Sequence, residues 1–258
     1  MALTSKVAIV TGAAQGLGRG FSEILLQNGA KVALLDVNET VGKSLKETFD
    51  NQYGPDKSLF LSCNVESEEQ LKAAFQKTIQ TFGRPHIMCN NAGIINESNW
   101  EKAVSINLMG VVRGTYLALE HMNKLTGGQG GVVVNVGSLA GLGPLPCTPV
   151  YTATKHGVVG FTRAMAAASD ISGYGIRFNV ICPAFVQTDI LNALYQPEKT
   201  GQFSSLIENT KKLIEMYGII EVPDVSKNFL QLVTDETKNG EALAVLQKGC
   251  SYVTFPAL

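Results

Sequence analysis

The sequence predicts one α/β domain organised on a doubly wound parallel sheet, and three observations carry that reading. Short apolar runs rich in Val and Ile alternate with longer segments of helical periodicity, the pattern of repeated strand and helix units. A glycine-rich turn directly follows the first run, where a nucleotide-binding sheet makes its first strand-to-helix connection. The 258 residues, 45% of them hydrophobic, suffice for one full core, and no linker divides them. The expected domain spans residues 1–258.

The first strand is expected at residues 6–10, followed by Gly12-Ala-Ala-Gln15-Gly16-Leu17-Gly18 and a helix with Phe21, Ile24 and Leu25 on its apolar face. Glycines at such a turn let the backbone approach a pyrophosphate, and the free N–H groups of the helix start attract it. This is the opening of a Rossmann fold. The second strand, 31–35, delivers Asp36 at about the distance where a ribose carboxylate belongs. Asp36 would accept both adenosine ribose hydroxyls and repel an added 2′-phosphate. No arginine follows it, and Gln15 rather than a cation occupies the loop, so the cofactor reading is NAD over NADP.

Helical residues to about 52, a third strand at 58–63 and a polar helix at 67–81 lead to a fourth strand at 86–90. That strand ends in Asn90-Asn91-Ala92-Gly93, small polar residues at the edge where a cofactor passes. Residues 99–124 read as one long helix carrying Asn107, and a fifth strand at 132–136 runs out to Ser138. The helix over 150–169 carries Ala153, Gly157, Gly160, Ala164 and Ala168, small residues suited to close packing within the subunit or across a dimer. After a sixth strand at 176–181, residues 189–217 form an apolar-rich insertion that reads as a substrate lid or as a helical pair resting on the body. A helix at 225–233 and a strand at 241–247 complete a sheet of about seven strands.

The chemistry gathers on the helix over 150–169. Tyr151 and Lys155, four residues apart, point the same way. The same spacing occurs at Tyr53 and Lys57 and at Tyr195 and Lys199, but Pro55 and Pro197 oppose a helix there. An ammonium beside a phenol favours the phenolate, so Lys155 is expected to lower the pKa of Tyr151 from its reference near ~10. Ser138 would hydrogen-bond a substrate oxygen while Tyr151 takes or gives its proton, half of a carbonyl/alcohol redox centre.

Composition excludes other classes. A net charge of −1 with 17% charged residues leaves no basic face for nucleic acid. The five cysteines are scattered without a Cys-x-x-Cys pair and read as buried thiols of a reducing compartment. The three histidines lack ligand spacing, so no metal is expected. The first apolar run is far shorter than the ~18 residues of a membrane span and lacks signal-peptide features, which reads as a cytoplasmic protein.

Taken together, Gly12-x-x-x-Gly16-x-Gly18, Asn90-Asn91-Ala92-Gly93, Asn107, Ser138 and Tyr151-x-x-x-Lys155 resemble the short-chain dehydrogenase/reductase family over the whole chain. The resemblance implies seven parallel strands in the order 3-2-1-4-5-6-7 and a dimer or tetramer, here read as a homodimer. It implies a catalytic set of Ser138, Tyr151, Lys155 and Asn107, with Asn107 anchoring a water that links Lys155 to solvent. It also implies NAD contacts along Gly12, Gln15, Gly16, Leu17 and Gly18, at Asp36 and Val37, at Cys63, Asn64 and Val65, at Asn91, Ala92 and Gly93, at Tyr151 and Lys155, and at Val186 and Thr188. Within the family, stretches such as Asn99-Trp-Glu-Lys102, Ser138-Leu-Ala-Gly-Leu142 and Tyr217-Gly218-Ile219 resemble members that oxidise a secondary allylic alcohol of an oxygenated fatty acid, such as a prostaglandin, to the ketone. The implied substrate residues are Ser138, Thr148, Tyr151, Phe185 and Tyr217. Three positions depart from the family pattern: Thr148 stands for a glutamine, Asn64 for an aspartate beside the adenine, and Ala184 for a glycine after Pro183. A related enzyme for a steroid or other lipid alcohol, and a non-catalytic NAD-binding regulatory protein, are the alternatives.

Overall fold

The structure is a computed structural model that describes residues 2–256. Strand β1 (Val7–Thr11) is buried along its whole length, as a central parallel strand covered on both faces must be, and feeds α1 (Gly16–Gln27). The unit repeats through β2 (Lys31–Asp36), α2 (Glu39–Tyr53), β3 (Ser58–Ser62) and α3 (Glu68–Phe82). The side chains of Asn38 and Ser67 accept N–H bonds at the starts of α2 and α3, which is why those helices begin where they do. Strand β4 (Ile87–Asn90) then delivers the chain to the segment around Asn91.

The long helix expected over 99–124 is broken. It consists of α4 (Trp100–Val104), one π-helical turn (Ser105–Met109) and α5 (Gly110–Met122). In the wide turn Asn107 donates from Nδ2 to Ile94 O and accepts the Ile94 N–H at Oδ1, both at 2.8 Å. The π turn turns this side chain inward to hold a neighbouring loop, a tertiary cause that helical periodicity does not register.

Strand β5 (Gly131–Val136) leads through a loop to α6 (Pro149–Ser172), which has Pro149 in its first turn and ends at Gly173 with a left-handed φ of 72°. Strand β6 (Ile176–Pro183) and the two-residue β7 (Phe185–Val186) follow. Residues 189–217 fold as α7 (Asp189–Ala193), α8 (Pro197–Thr200), a 3-10 segment (Gly201–Leu206) and α9 (Ile207–Tyr217). Strand β8 (Ile219–Ile220) then pairs in parallel with β7, Phe185 opposite Ile219 and Val186 opposite Ile220, so the excursion leaves and rejoins at one point. Helix α10 (Val222–Thr234) and strands β9 (Ala242–Leu246) and β10 (Gly249–Tyr252) complete the chain.

The large sheet has the order β3-β2-β1-β4-β5-β6-β9-β10. The first seven of these pair in parallel, in the expected order. The antiparallel β10 is an addition to that expectation. A two-residue turn at Gln247 and Lys248 reverses the chain, and β10 lies at the exposed edge with Cys250 and Ser251 outward, so no apolar alternation announces it. Helices cover both faces. On one, Phe21 of α1 stacks on Phe229 of α10 at 4.3 Å, and on the other Phe75, Met122 and Phe178 are fully buried. Strand order reverses where β1 meets β4, and the crevice at that switch point opens at the strands' carboxyl ends.

Candidate active site

A cavity of roughly 800 Å³ follows the carboxyl ends of the strands. Its first half is built on the glycine turn. Gly12 has φ +62°, and a Cβ there would lie 2.9 Å from Ala92 Cα, so only glycine fits between β1 and the segment after β4. That contact is fastened from both sides. Thr11 Oγ1 accepts the N–H groups of Asn91 and Ala92 at 3.0 and 3.1 Å, and Asn91 Nδ2 donates to the carbonyls of Thr11 and Gly12 at 3.0 Å. No side chain caps the start of α1, which leaves its N–H groups for an anion. Gly12, Gln15, Gly16 and Leu17 line the cavity. Gly18 does not; it packs beneath the turn against Gly12 O, where a Cβ would collide.

Asp36, at the end of β2, accepts the Ala14 N–H at Oδ2 and the Asn38 N–H at Oδ1, both at 2.9 Å, while its carboxylate lines the cavity. It therefore holds the glycine turn as well as presenting negative charge. Val37 is 66% exposed beside it. Cys63, Asn64, Val65, Asn91, Ala92, Gly93, Val186 and Thr188 line the same space, with Thr188 Cγ2 3.3 Å from where a Cβ of Gly16 would sit. Asn64 Oδ1 accepts the Glu66 N–H at 3.0 Å, so the amide is held in a turn. A narrow glycine cradle, an uncapped helix start and a carboxylate at the second strand fit a dinucleotide without a 2′-phosphate.

The second half begins at Ser138, beyond β5, whose Oγ accepts the Ala140 N–H at 3.1 Å. Tyr151 and Lys155 of α6 line the same space and are 7% and 3% exposed. Lys155 Nζ donates to Val136 O at 2.8 Å and lies 5.5 Å from the centre of the Tyr151 ring. Burial pushes the Tyr151 phenol up to about 12, partly offset by a hydrogen bond from Ser138. Burial pushes the Lys155 ammonium down to about 8. This runs against the expectation that Lys155 lowers the phenol below its usual value: burial sets the direction, and the ammonium is tied to a strand carbonyl. Beneath them Cys182 is buried with its thiol pushed up to about 12, a neutral neighbour.

Asn107 is fully buried and does not line the cavity, yet it borders the same point. A Cβ on Gly93 would lie 3.4 Å from Asn107 Oδ1 and 3.6 Å from Lys155 Nζ. Asn107 Nδ2 also approaches Thr154 Oγ1 at 3.4 Å, and that hydroxyl donates to Tyr151 O at 2.7 Å.

Beyond Ser138 the wall turns apolar, with Ile95, Leu139, Leu145, Leu191 and Leu213 around Phe185 and Tyr217. Thr148 is not part of that wall. It is fully buried at the start of α6 and its Oγ1 has no hydrogen-bond partner. Ala184 does line the cavity, and its backbone is not strained, because Ser5 is the one non-glycine residue with positive φ among those described. Sequence reasoning missed Thr11, whose position closing β1 was the available signal. It also missed Glu97, whose carboxylate accepts the N–H groups of Val150 and Tyr151 at 3.0 Å from 53 and 54 residues away, a distance that left no local pattern. Among the described residues no cluster of metal-ligating side chains occurs, and no helix is long and apolar enough to cross a membrane.

With this geometry in hand, the comparisons with known proteins are specific. Residues 6–199 match the short chain dehydrogenase family. The chain is 46% identical to human 15-hydroxyprostaglandin dehydrogenase [NAD(+)], covering 95% of this chain and 92% of the relative. Levodione reductase superposes with a TM-score of 0.82 at 29% identity, covering 95% of this chain and 97% of the other. A short chain dehydrogenase/reductase from Burkholderia phymatum in complex with NAD gives 0.78 at 26% identity, covering 90% and 87%. The turn at Gly12, the Asp36 carboxylate and the grouping of Ser138, Tyr151 and Lys155 at one cavity thus agree with the sequence match, and the chain belongs to the short chain dehydrogenase family.

Proposed function

We propose that the protein oxidises a secondary alcohol to a ketone with NAD, its substrate being the 15-hydroxyl of a prostaglandin or a related hydroxylated fatty acid. The observation that carries this is the place of Ser138 and Tyr151, at the junction where the dinucleotide half of the cavity meets its apolar half. NAD, when bound, supplies the hydride acceptor. Asp36 and the glycine turn hold the adenosine end. Ser138 and Tyr151 hold the carbinol oxygen, and Tyr151 in its phenolate form takes the hydroxyl proton at Oη, becoming the phenol, as the carbinol C–H bond gives up its hydride. Lys155 keeps a cation behind the phenol, and Asn107 fixes the Ile94 backbone beside Gly93. Similarity to a prostaglandin dehydrogenase at 46% identity over 95% of the chain supports the substrate class, as does the apolar wall around Phe185 and Tyr217.

In this reading residues 1–258 act as one domain and 189–217 as a lid over the apolar half. The partner is a second copy of the chain. Tyr116, 55% exposed on α5, meets Phe161 of α6 edge-on at 6.1 Å, and the neighbouring Gly160 and Ala164 leave a flat, small-residue face. Five free thiols agree with a cytoplasmic location. The test is NADH formation by absorbance with NAD and prostaglandin E2, beside a steroid alcohol and hydroxy fatty acids. Selective oxidation of the prostaglandin is expected. Turnover of the other alcohols alone would move the substrate elsewhere, and NAD binding without turnover of any would favour the regulatory alternative.

A further inference from the structure

We propose that Glu97 is a positioning residue that fixes Tyr151 and the 189–217 segment against each other, an inference that rests on Tyr151 being the proton acceptor. Glu97 is 8% exposed and makes no ion pair among the described residues. A buried carboxylate without a cation is costly unless hydrogen bonds answer it. Here the start of α6 answers it: Oε2 accepts the Val150 N–H and Oε1 the Tyr151 N–H, each at 3.0 Å, at the positive end of a long helix. Helix α6 has no cap of its own, because Thr148 at the cap position makes no such bond and its Oγ1 is unpartnered. At α2 and α3 a local Asn or Ser does this work. At α6 the acceptor is borrowed from another part of the chain, and one of the two groups gripped is the backbone of Tyr151 itself.

The same residue holds the 189–217 segment. The Glu97 N–H donates to Lys199 O at 2.6 Å, and the next residue, Thr200, is 1% exposed. Gly201 follows with φ +56°, and a Cβ there would lie 3.0 Å from Ser98 Oγ, so the end of α8 rests directly on residues 97 and 98. A shift of α8 moves the Glu97 backbone, and its carboxylate carries that shift to Tyr151. Thr210 of α9 also donates to Cys147 Sγ at 2.9 Å, a second tie between this segment and the approach to α6.

The experiment uses Glu97→Gln, which preserves volume but offers one acceptor oxygen in place of two, with Glu97→Ala, Gly201→Val, the double variant Glu97→Gln/Gly201→Val, and Tyr151→Phe as control. NADH formation is followed with the best alcohol of the panel above, and the NAD Kd is measured separately by fluorescence. The expected result is a kcat about tenfold lower for Glu97→Gln and about a hundredfold lower for Glu97→Ala, with the NAD Kd within about twofold, the size of effect a misplaced base produces. Gly201→Val lowers kcat as well, and the double variant loses less than the product of the single losses, because both act through one contact. Normal kcat in either Glu97 variant, a Kd that worsens in step with kcat, or simple multiplication in the double variant overturns the proposal. If Tyr151→Phe is inactive while the Glu97 variants are normal, the positioning role alone fails. If Tyr151→Phe turns over normally, the reading of the site fails and this inference with it.

Discussion

Lys155 Nζ is hydrogen-bonded to the carbonyl of Val136 at 2.8 Å while standing 5.5 Å from the centre of the Tyr151 ring. The last carbonyl of β5 thus fixes the ammonium beside the phenol, and burial disfavours the charged form of each group: Tyr151 rises to about 12 and Lys155 falls to about 8. Because proton transfer needs the phenolate beside the ammonium, the protonation states of the two groups have to be counted together.

The pair dictates a pH profile. Removing one proton from phenol and ammonium gives either phenolate with ammonium, the active form, or phenol with neutral amine. These two forms contain the same number of protons, so their ratio does not change with pH. The active fraction therefore rises about tenfold per pH unit while the pair is fully protonated, then levels off near the Lys155 value of about 8. kcat/KM for alcohol oxidation, measured from pH 6 to 10, should show that slope and that plateau. A flat profile below pH 8 would remove this pair from the proton transfer.

Lys155 also bears on stability. Its folded value of about 8 lies below the usual 10.5, so the unfolded chain binds more protons between those values. Stability attributable to this group is lowest below pH 8 and recovers as pH rises towards 10.5. The shift corresponds to roughly 3 kcal/mol, and losing the bond to Val136 O returns about 1 kcal/mol of it. Without NAD, Lys155→Met should be more stable than the parent by about 2 kcal/mol at pH 7, in urea or thermal unfolding, with the difference shrinking by pH 10. A less stable variant at pH 7 would mean that the buried ammonium is better compensated than its surroundings indicate.

Tyr151→Phe removes the hydroxyl and little else. The ring stays packed in α6, the N–H still reaches Glu97, and Ser138 Oγ still accepts from Ala140. Turnover should fall by about 10² to 10⁴ with NAD affinity nearly unchanged. Unfolding in urea should show native stability, which separates loss of chemistry from loss of fold.

Most of the sheet was legible because β1, β2, β4 and β5 are mainly apolar runs, each leading to a residue the site uses: Asp36 closes β2, and Gly12, Asn91 and Ser138 lie just past the ends of β1, β4 and β5. Local patterns suffice for those positions. What stayed hidden depends on contacts between distant residues. The π turn carries Asn107 to Ile94, Glu97 caps a helix that begins more than fifty residues later, and Thr148 is buried at the start of α6 outside the cavity. The effect of Lys155 on Tyr151 was misjudged for a related reason, since spacing gives proximity but not desolvation.

Asp36 makes the last test sharp, because it has two duties. Its oxygens hold Ala14 and Asn38 at 2.9 Å, shaping the glycine turn, and the same carboxylate faces the cavity where an adenosine ribose belongs. Asp36→Asn keeps the shape and one acceptor but removes the charge, whereas Asp36→Ala removes both. A hydrogen bond to a charged group contributes about 1.5–3 kcal/mol, so Asp36→Ala should raise the KM for NAD by roughly 10- to 100-fold. With no carboxylate to repel a 2′-phosphate, the preference for NAD over NADP should collapse in both variants, chiefly through better use of NADP by Asp36→Asn. If Asp36→Asn keeps full discrimination against NADP, the charge is not the selector, and the width of the cavity beside Val37 must exclude the phosphate instead.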